Sequence, residues 1–170
     1  QLSLKHATTG VSVTVEARLF DDGLGLRYTF YKAPNREALG SDTIRILEEL
    51  TCFRVSGDPL VNWGPGDWNS YENRLELTPL SEIDAKKYDD RLQLISRVVP
   101  NNAIMTPATM RLADGTHLSI HEADLVDYPE MTLEVMPAGQ GLRSTLAGSQ
   151  NRAAKAVRAM PFSTPWRTIA

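Results

Sequence analysis

Apolar and polar residues alternate along residues 11–20, VSVTVEARLF, with Val11, Val13, Val15, Ala17 and Leu19 on one side and Ser12, Thr14, Glu16 and Arg18 on the other. Successive strand side chains point to opposite faces, so this phase predicts a half-buried antiparallel strand. Asp21-Asp22-Gly23 supplies the residues of a tight hairpin turn. Beyond it, Leu24, Leu26, Tyr28 and Phe30 hold one face while Gly25, Arg27 and Thr29 take the other, which predicts the partner strand. Two further hairpins are expected, Pro107–Leu112 with Thr116–Glu122 across Asp114-Gly115, and Met131–Met136 with Leu142–Leu146 across Pro137–Gly141. Arg74–Pro79 and Leu92–Val99 read as single strands, and Phe162–Ile169 as a strand around Pro165.

Other stretches are less regular. Lys32–Ser41 reads as a loop. Thr43–Val55 fits a helical spacing (Ile44, Leu47, Leu50) and also two strand phases; two strand pieces with a kink near Glu48-Glu49 are favoured. Gly57–Asn73, GDPLVNWGPGDWNSYEN, is rich in proline and glycine and is expected to be an irregular loop throughout. Ser81–Arg91 is a charged surface segment with room for one helical turn. The alanines of Asn151–Met160, NRAAKAVRAM, favour helix, with Arg152, Lys155 and Arg158 on a solvated basic face ended by Pro161. Strands joined by short turns, with almost no helix, imply an all-β fold, an antiparallel β-sandwich.

At 170 residues the chain suits one domain, and its charged content of 23% is ordinary. A net charge of −3 gives no electrostatic case for nucleic acid, and no apolar run is long enough for a helical membrane span. Cys52 is the single cysteine, so no intrachain disulfide can form; its setting suggests a small buried hydrophobe. The sequence starts at Gln1 and stops within a strand-like run at Ala170, and both ends are expected to be cuts in a longer polypeptide.

The chemistry centres on THLSIHEADLVDY, residues 116–128. Leu118, Ile120 and Glu122 share one face of the strand, and His117, Ser119 and His121 the other. The apolar phase thus delivers a carboxylate toward the core. Either the strand has left the core by Glu122 and the carboxylate is solvated, or it meets a cation or hydrogen-bond donor inside. His117 and His121 stand about 13 Å apart on a strand and cannot share one metal ion. Asp67, Glu72, Glu76, Glu82, Asp124 and Asp127 are further carboxylates near loops. Trp63, Trp68 and Tyr71 either form a stacking surface for a sugar or plug the end of the sandwich as satellite core.

Several strings in matching order carry a family resemblance: Leu19-Phe20-Asp21-Asp22-Gly23-Leu24-Gly25-Leu26-Arg27-Tyr28; Asp67-Trp68-Asn69-Ser70-Tyr71-Glu72 with Thr78-Pro79-Leu80; Thr106-Pro107-Ala108-Thr109 leading to Asp114-Gly115-Thr116-His117-Leu118-Ser119-Ile120-His121-Glu122-Ala123; and Pro161-Phe162-Ser163-Thr164-Pro165-Trp166-Arg167-Thr168-Ile169. Over nearly its whole length the chain resembles the N-terminal domain of glycoside hydrolase family 97. The resemblance implies a galactose-mutarotase-like β-super-sandwich, here lacking its first strands. It implies a bacterial α-glucosidase or α-galactosidase, exported to the periplasm or beyond, whose catalytic (β/α)8 barrel follows residue 170 and packs on this domain. It also implies a calcium ion in the active site, held mainly by glutamates, of which Glu122 is the one from this domain. Trp63, Trp68 and Tyr71 would then line the rim of a pocket for an α-linked oligosaccharide. The family's acid and base sit on the barrel, so residues 1–170 alone are expected to be inactive.

Two other readings stand beside this one. One is a non-catalytic carbohydrate-binding module that uses the aromatic loop. The other is a purely structural domain bracing the barrel, for which Glu122 would be locked to an arginine inside the sandwich. A mutarotase-like epimerase would need a paired acid and base that the spacing does not supply.

Overall fold

The structure, a computed structural model, describes residues 1–32, 41–68, 70–91, 99, 101–148 and 153–170. In chain order the strands are β1 (Leu2–Lys5), β2 (Ser12–Phe20), β3 (Gly23–Tyr31), β4 (Thr43–Ile46), β5 (Cys52–Phe53), β6 (Leu60–Trp63), β7 (Glu76–Pro79), β8 (Ala103–Ile104), β9 (Ala108–Arg111), β10 (His117–Ala123), β11 (Met131–Val135), β12 (Leu142–Leu146), β13 (Ala156–Ala159), β14 (Phe162–Ser163) and β15 (Trp166–Ile169). The helical pieces are short 3-10 turns at Leu80–Glu82, Ala85–Arg91 and Pro137–Gly139.

A large antiparallel sheet runs β1-β2-β3-β15-β10-β9-β6-β7, with β14 also paired to β3. A second sheet runs β5-β12-β11-β8, and β13 pairs with β4 as a separate ribbon. The core lies between the two sheets. Val61 and Trp63 of β6, Met110 of β9 and Ile120 of β10 meet Phe53, Ile104, Met131, Leu133 and Leu142 from the other layer. The chain is therefore the all-β sandwich that its alternation predicts, and its three hairpins form where expected.

Some expectations need correction. Gly57–Asn73 is not irregular throughout: Leu60–Trp63 is a strand between β9 and β7. Four residues bounded by Pro59 and Gly64 suffice, because Val61 and Trp63 both point into the core. Asn151–Met160 supplies a strand, not a helix, in its described part; Ala156–Ala159 pairs with Thr43–Ile46, and ladder pairing overrides the alanines' preference. Cys52 is exposed, because on a two-residue strand only one side chain can face inward and Phe53 takes that place. Leu19, expected on the buried face, is 83% exposed, since β2 runs past the covering layer at the hairpin tip. Thr43–Val55 does split into two strands around Glu48-Glu49. Most of the loop expected at 32–41, nearly all of the strand expected at 92–99, and Arg152 lie outside the described residues.

Candidate functional site

β15 places the site. It lies in the middle of the large sheet between β3 and β10, and its register sets Arg167 directly opposite Glu122. Trp166 and Thr168 take the outer face, where Arg18 and Arg27 stack on the Trp166 ring at 4.8 and 4.5 Å. Arg167 and Glu122 therefore both point inward, at 0% and 6% exposure.

The guanidinium is held on three nitrogens. Nε and Nη2 donate to the two carboxylate oxygens of Glu49 at 2.8 and 2.7 Å. Nη1 donates to Oε2 of Glu122 at 2.6 Å. The backbone N–H of Met131 donates to Oε1 and Oε2 of Glu122 at 3.1 and 3.2 Å. Behind this group Tyr28 donates to Thr51 at 2.8 Å and Thr51 to Glu49 at 3.0 Å. Burial works against the charge on Arg167, yet the hydrogen bonds and charge of Glu49, with Glu122, hold its pKa above the ordinary value. Burial pushes the Glu122 carboxyl up, against the Met131 N–H and Arg167.

The solvated reading of Glu122 is thus replaced by an internal ion pair. The loop after β10 explains how the strand end stays inside. Asp124 and Asp127 adopt positive φ of 60° and 54°, a left-handed conformation that turns the chain sharply back toward β11. Arg158 of β13 pins the loop, donating to the Asp127 carbonyl at 2.9 Å and pairing with its carboxylate at 3.0 Å. Leu125 and Val126 are left exposed at the tip.

A second group of acids stands beside Glu122. Burial pushes the Glu130 carboxyl up to about 7, a Tyr71 hydrogen bond opposes this, and the charges of Glu122 and Asp67 add to it. Burial, then the charges of Glu130 and Glu122, raise the Tyr71 phenol well above its ordinary range. Asp67 is buried and accepts from Asn73 at 3.2 Å. Sequence reasoning did not single out Glu130, Glu49 or Arg167 as site residues. Glu130 follows Tyr128-Pro129 in an exposed-looking turn, and neither Glu49 nor Arg167 sits in a chemical motif; only pairing across the sheet brings them together.

Of the three aromatic candidates, Trp63 is not on a surface. It is 1% exposed, donates from its indole N–H to Thr78 at 3.0 Å and packs edge-on to Tyr88, so it has no free face for a sugar. It plays the core-plug role. Tyr71 is about half exposed and reaches the acids; Trp68 is half-buried, with the Lys155 ammonium 5.4 Å from its ring. His117 and His121 both face outward.

The arrangement can hold a cation only in part. Among the described residues no set of three or more acidic, histidine or cysteine side chains is placed to hold a metal ion. What this chain offers is hard oxygen donors; among the described residues Oε1 of Glu122 accepts from the Met131 N–H at 3.1 Å.

The model of the Glycosyl-hydrolase 97 N-terminal family matches residues 1–170. Among solved structures, a variant of a Glycoside Hydrolase Family 97 enzyme from Pseudoalteromonas sp. strain K8 superposes with a TM-score of 0.72 at 31% identity, covering 93% of this chain and 20% of that one. Structures of that organism's family 97 enzyme in complex with acarbose, and of a variant in complex with panose, match equally. This chain thus spans about one-fifth of those enzymes. Family match, sandwich and shared structure agree: the chain belongs to the N-terminal domain family of the family 97 glycoside hydrolases.

Proposed function

We propose that this domain forms one wall of the active site of a calcium-dependent α-glycosidase. Glu122 would give the calcium ion one carboxylate ligand, and Tyr71 and Trp68 would stand at the substrate rim. The remaining ligands, the acid and the base would come from a barrel in the same polypeptide. Bound there, calcium would orient the sugar and help stabilise charge developing at the glycosidic bond.

The observation that carries this reading is the charge around Glu122. One guanidinium faces two carboxylates, Glu49 and Glu122, with Glu130 beside Glu122. Among the described residues the group of Arg167, Glu49 and Glu122 holds one carboxylate more than its cation, which suits a further positive charge. Calcium takes six to eight oxygens, so one glutamate from this wall suits a shared site. Phe20 of the first hairpin tip and Ala123 of β10 line one hollow on the outer face, and Phe20 is exposed, which suits docking against a neighbouring domain. The relatives' complexes with acarbose and panose support an oligosaccharide substrate.

The test is the full-length enzyme carrying Glu122→Ala, assayed on aryl α-glycosides across a calcium titration. Turnover at least tenfold lower, with a raised calcium requirement, is expected. Unchanged turnover and calcium dependence would remove Glu122 from the site. The ion pair with Arg167 favours a second reading, in which the domain only braces the barrel. That reading requires Glu122→Gln to be tolerated in catalysis and Val13→Ala or Leu26→Ala to matter through stability alone.

A further inference from the structure

The segment Leu47-Glu48-Glu49-Leu50 is packed inside out. Both leucines are exposed, at 61% and 63%, while Glu49 is 7% exposed. Burying a leucine in place of the glutamate would gain transfer free energy, whereas burying the carboxylate costs it. Packing alone therefore does not account for the choice. The kink is held so that the carboxylate turns inward. Glu48 accepts from the backbone N–H of Leu146 at 2.7 Å, from that of Glu49 at 3.0 Å and from the Thr145 hydroxyl at 3.2 Å. This ties the segment to β12 on one side and leaves Glu49 facing β15 on the other.

We infer that Glu49 is a positioning residue for Glu122: by taking two of the three Arg167 contacts, it neutralises the guanidinium and leaves Glu122 its negative charge for an incoming cation. The geometry is asymmetric in this sense. Glu49 meets Arg167 side-on, oxygen for nitrogen, at 2.8 and 2.7 Å, the bidentate arrangement that is the stronger form of the pair. Glu122 is touched by Arg167 through Oε2 alone. If the sandwich needed only to neutralise one buried arginine, Glu122 directly across the ladder would suffice. With Glu49 present the group of three carries one negative charge in excess, and the one carboxylate oxygen whose donor is an uncharged N–H rather than the guanidinium, Oε1 at 3.1 Å from the Met131 nitrogen, belongs to Glu122. Thr51, fed by Tyr28, fixes the Glu49 rotamer from behind.

This inference rests on Glu122 being a calcium ligand, and the experiment separates the two ideas. Full-length enzyme is stripped with chelator and titrated with calcium by calorimetry, as wild type, Glu122→Gln and Glu49→Gln, with melting temperatures recorded in chelator. Loss of calcium affinity by about 10- to 100-fold is expected in Glu49→Gln, the range for residues that orient a metal ligand. Wild-type affinity in Glu49→Gln with weakened affinity in Glu122→Gln overturns the positioning role alone. Wild-type affinity in Glu122→Gln overturns the ligand reading beneath it. A lower melting temperature in chelator with unchanged affinity marks a merely structural Glu49 and also overturns the inference. Should Glu49→Gln fail to fold, Glu49→Asp decides: its shorter reach breaks the side-on contact while keeping the charge, so threefold or greater weakening supports the role and wild-type affinity overturns it.

Discussion

Arg167 is fully buried, and its charge is tolerated because carboxylates meet it on three nitrogens. Removing the cation leaves Glu49 and Glu122 buried without the partner they share. Arg167→Leu is expected to cost about 3–5 kcal/mol in urea unfolding, the range for breaking a buried pair on one side. Glu130 behaves differently. Its carboxyl is raised to about 7 in the folded chain from an ordinary 4.5, so between these values the folded state binds more protons than the unfolded one. Its contribution is complete below about 4.5 and is lost as pH rises through about 7. In chelator, the melting temperature of wild type should fall over that window more steeply than that of Glu130→Gln; parallel profiles would show that Glu130 is not perturbed. Residues of this kind are poorly legible in sequence. Glu122 could be seen to point inward from the phase of Leu118 and Ile120, but its partner stands 45 residues away and Glu49 lies 118 from Arg167.

At the scale of elements, alternation and turn residues located the three hairpins, because each depends on neighbours in sequence. The turn between β11 and β12 shows how strictly geometry selects the residue. Gly141 has φ of 128°, and a Cβ there would lie 2.2 Å from the carbonyl oxygen of Phe53. Gly115, at φ of 89°, has open space around it. Gly141→Ala should cost more than the roughly 1–3 kcal/mol of backbone strain that Gly115→Ala would share, as read by chemical denaturation; equal losses would mean that the Phe53 contact does not matter. Elements were misread where long-range pairing decided. Trp63 sits among prolines and glycines that suggest a loop, yet β9 and β7 on either side make Leu60–Trp63 a strand. Trp63→Ala is expected to lower stability by about 3–5 kcal/mol through core loss, a change that thermal unfolding would register. Likewise the alanines around Ala156–Ala159 prefer helix locally, but the segment pairs as a strand with β4.

For the whole molecule, the proposed site ties stability to the metal. A ligand bound only by the folded state adds about 2.7 kcal/mol when present at a hundred times its dissociation constant. Chelation should therefore lower the melting temperature of the full-length enzyme, and this drop should shrink in Glu122→Gln. An equal drop in both would place the calcium elsewhere. By itself the sequence determined the class of fold, the hairpins and the inward direction of Glu122, since each follows from the two-residue period of a strand and from local turn chemistry. It also carried the family, through motifs in order along the chain. Only the tertiary structure decided what Glu122 meets, that Trp63 is core, that Cys52 faces out, and that leucines yield the interior to Glu49. Those outcomes depend on which strands become neighbours, and β15, distant in sequence from both β3 and β10, joins them at the centre of the sheet. Periodicity fixes which way a side chain points; pairing across the sheet fixes the charge it finds there.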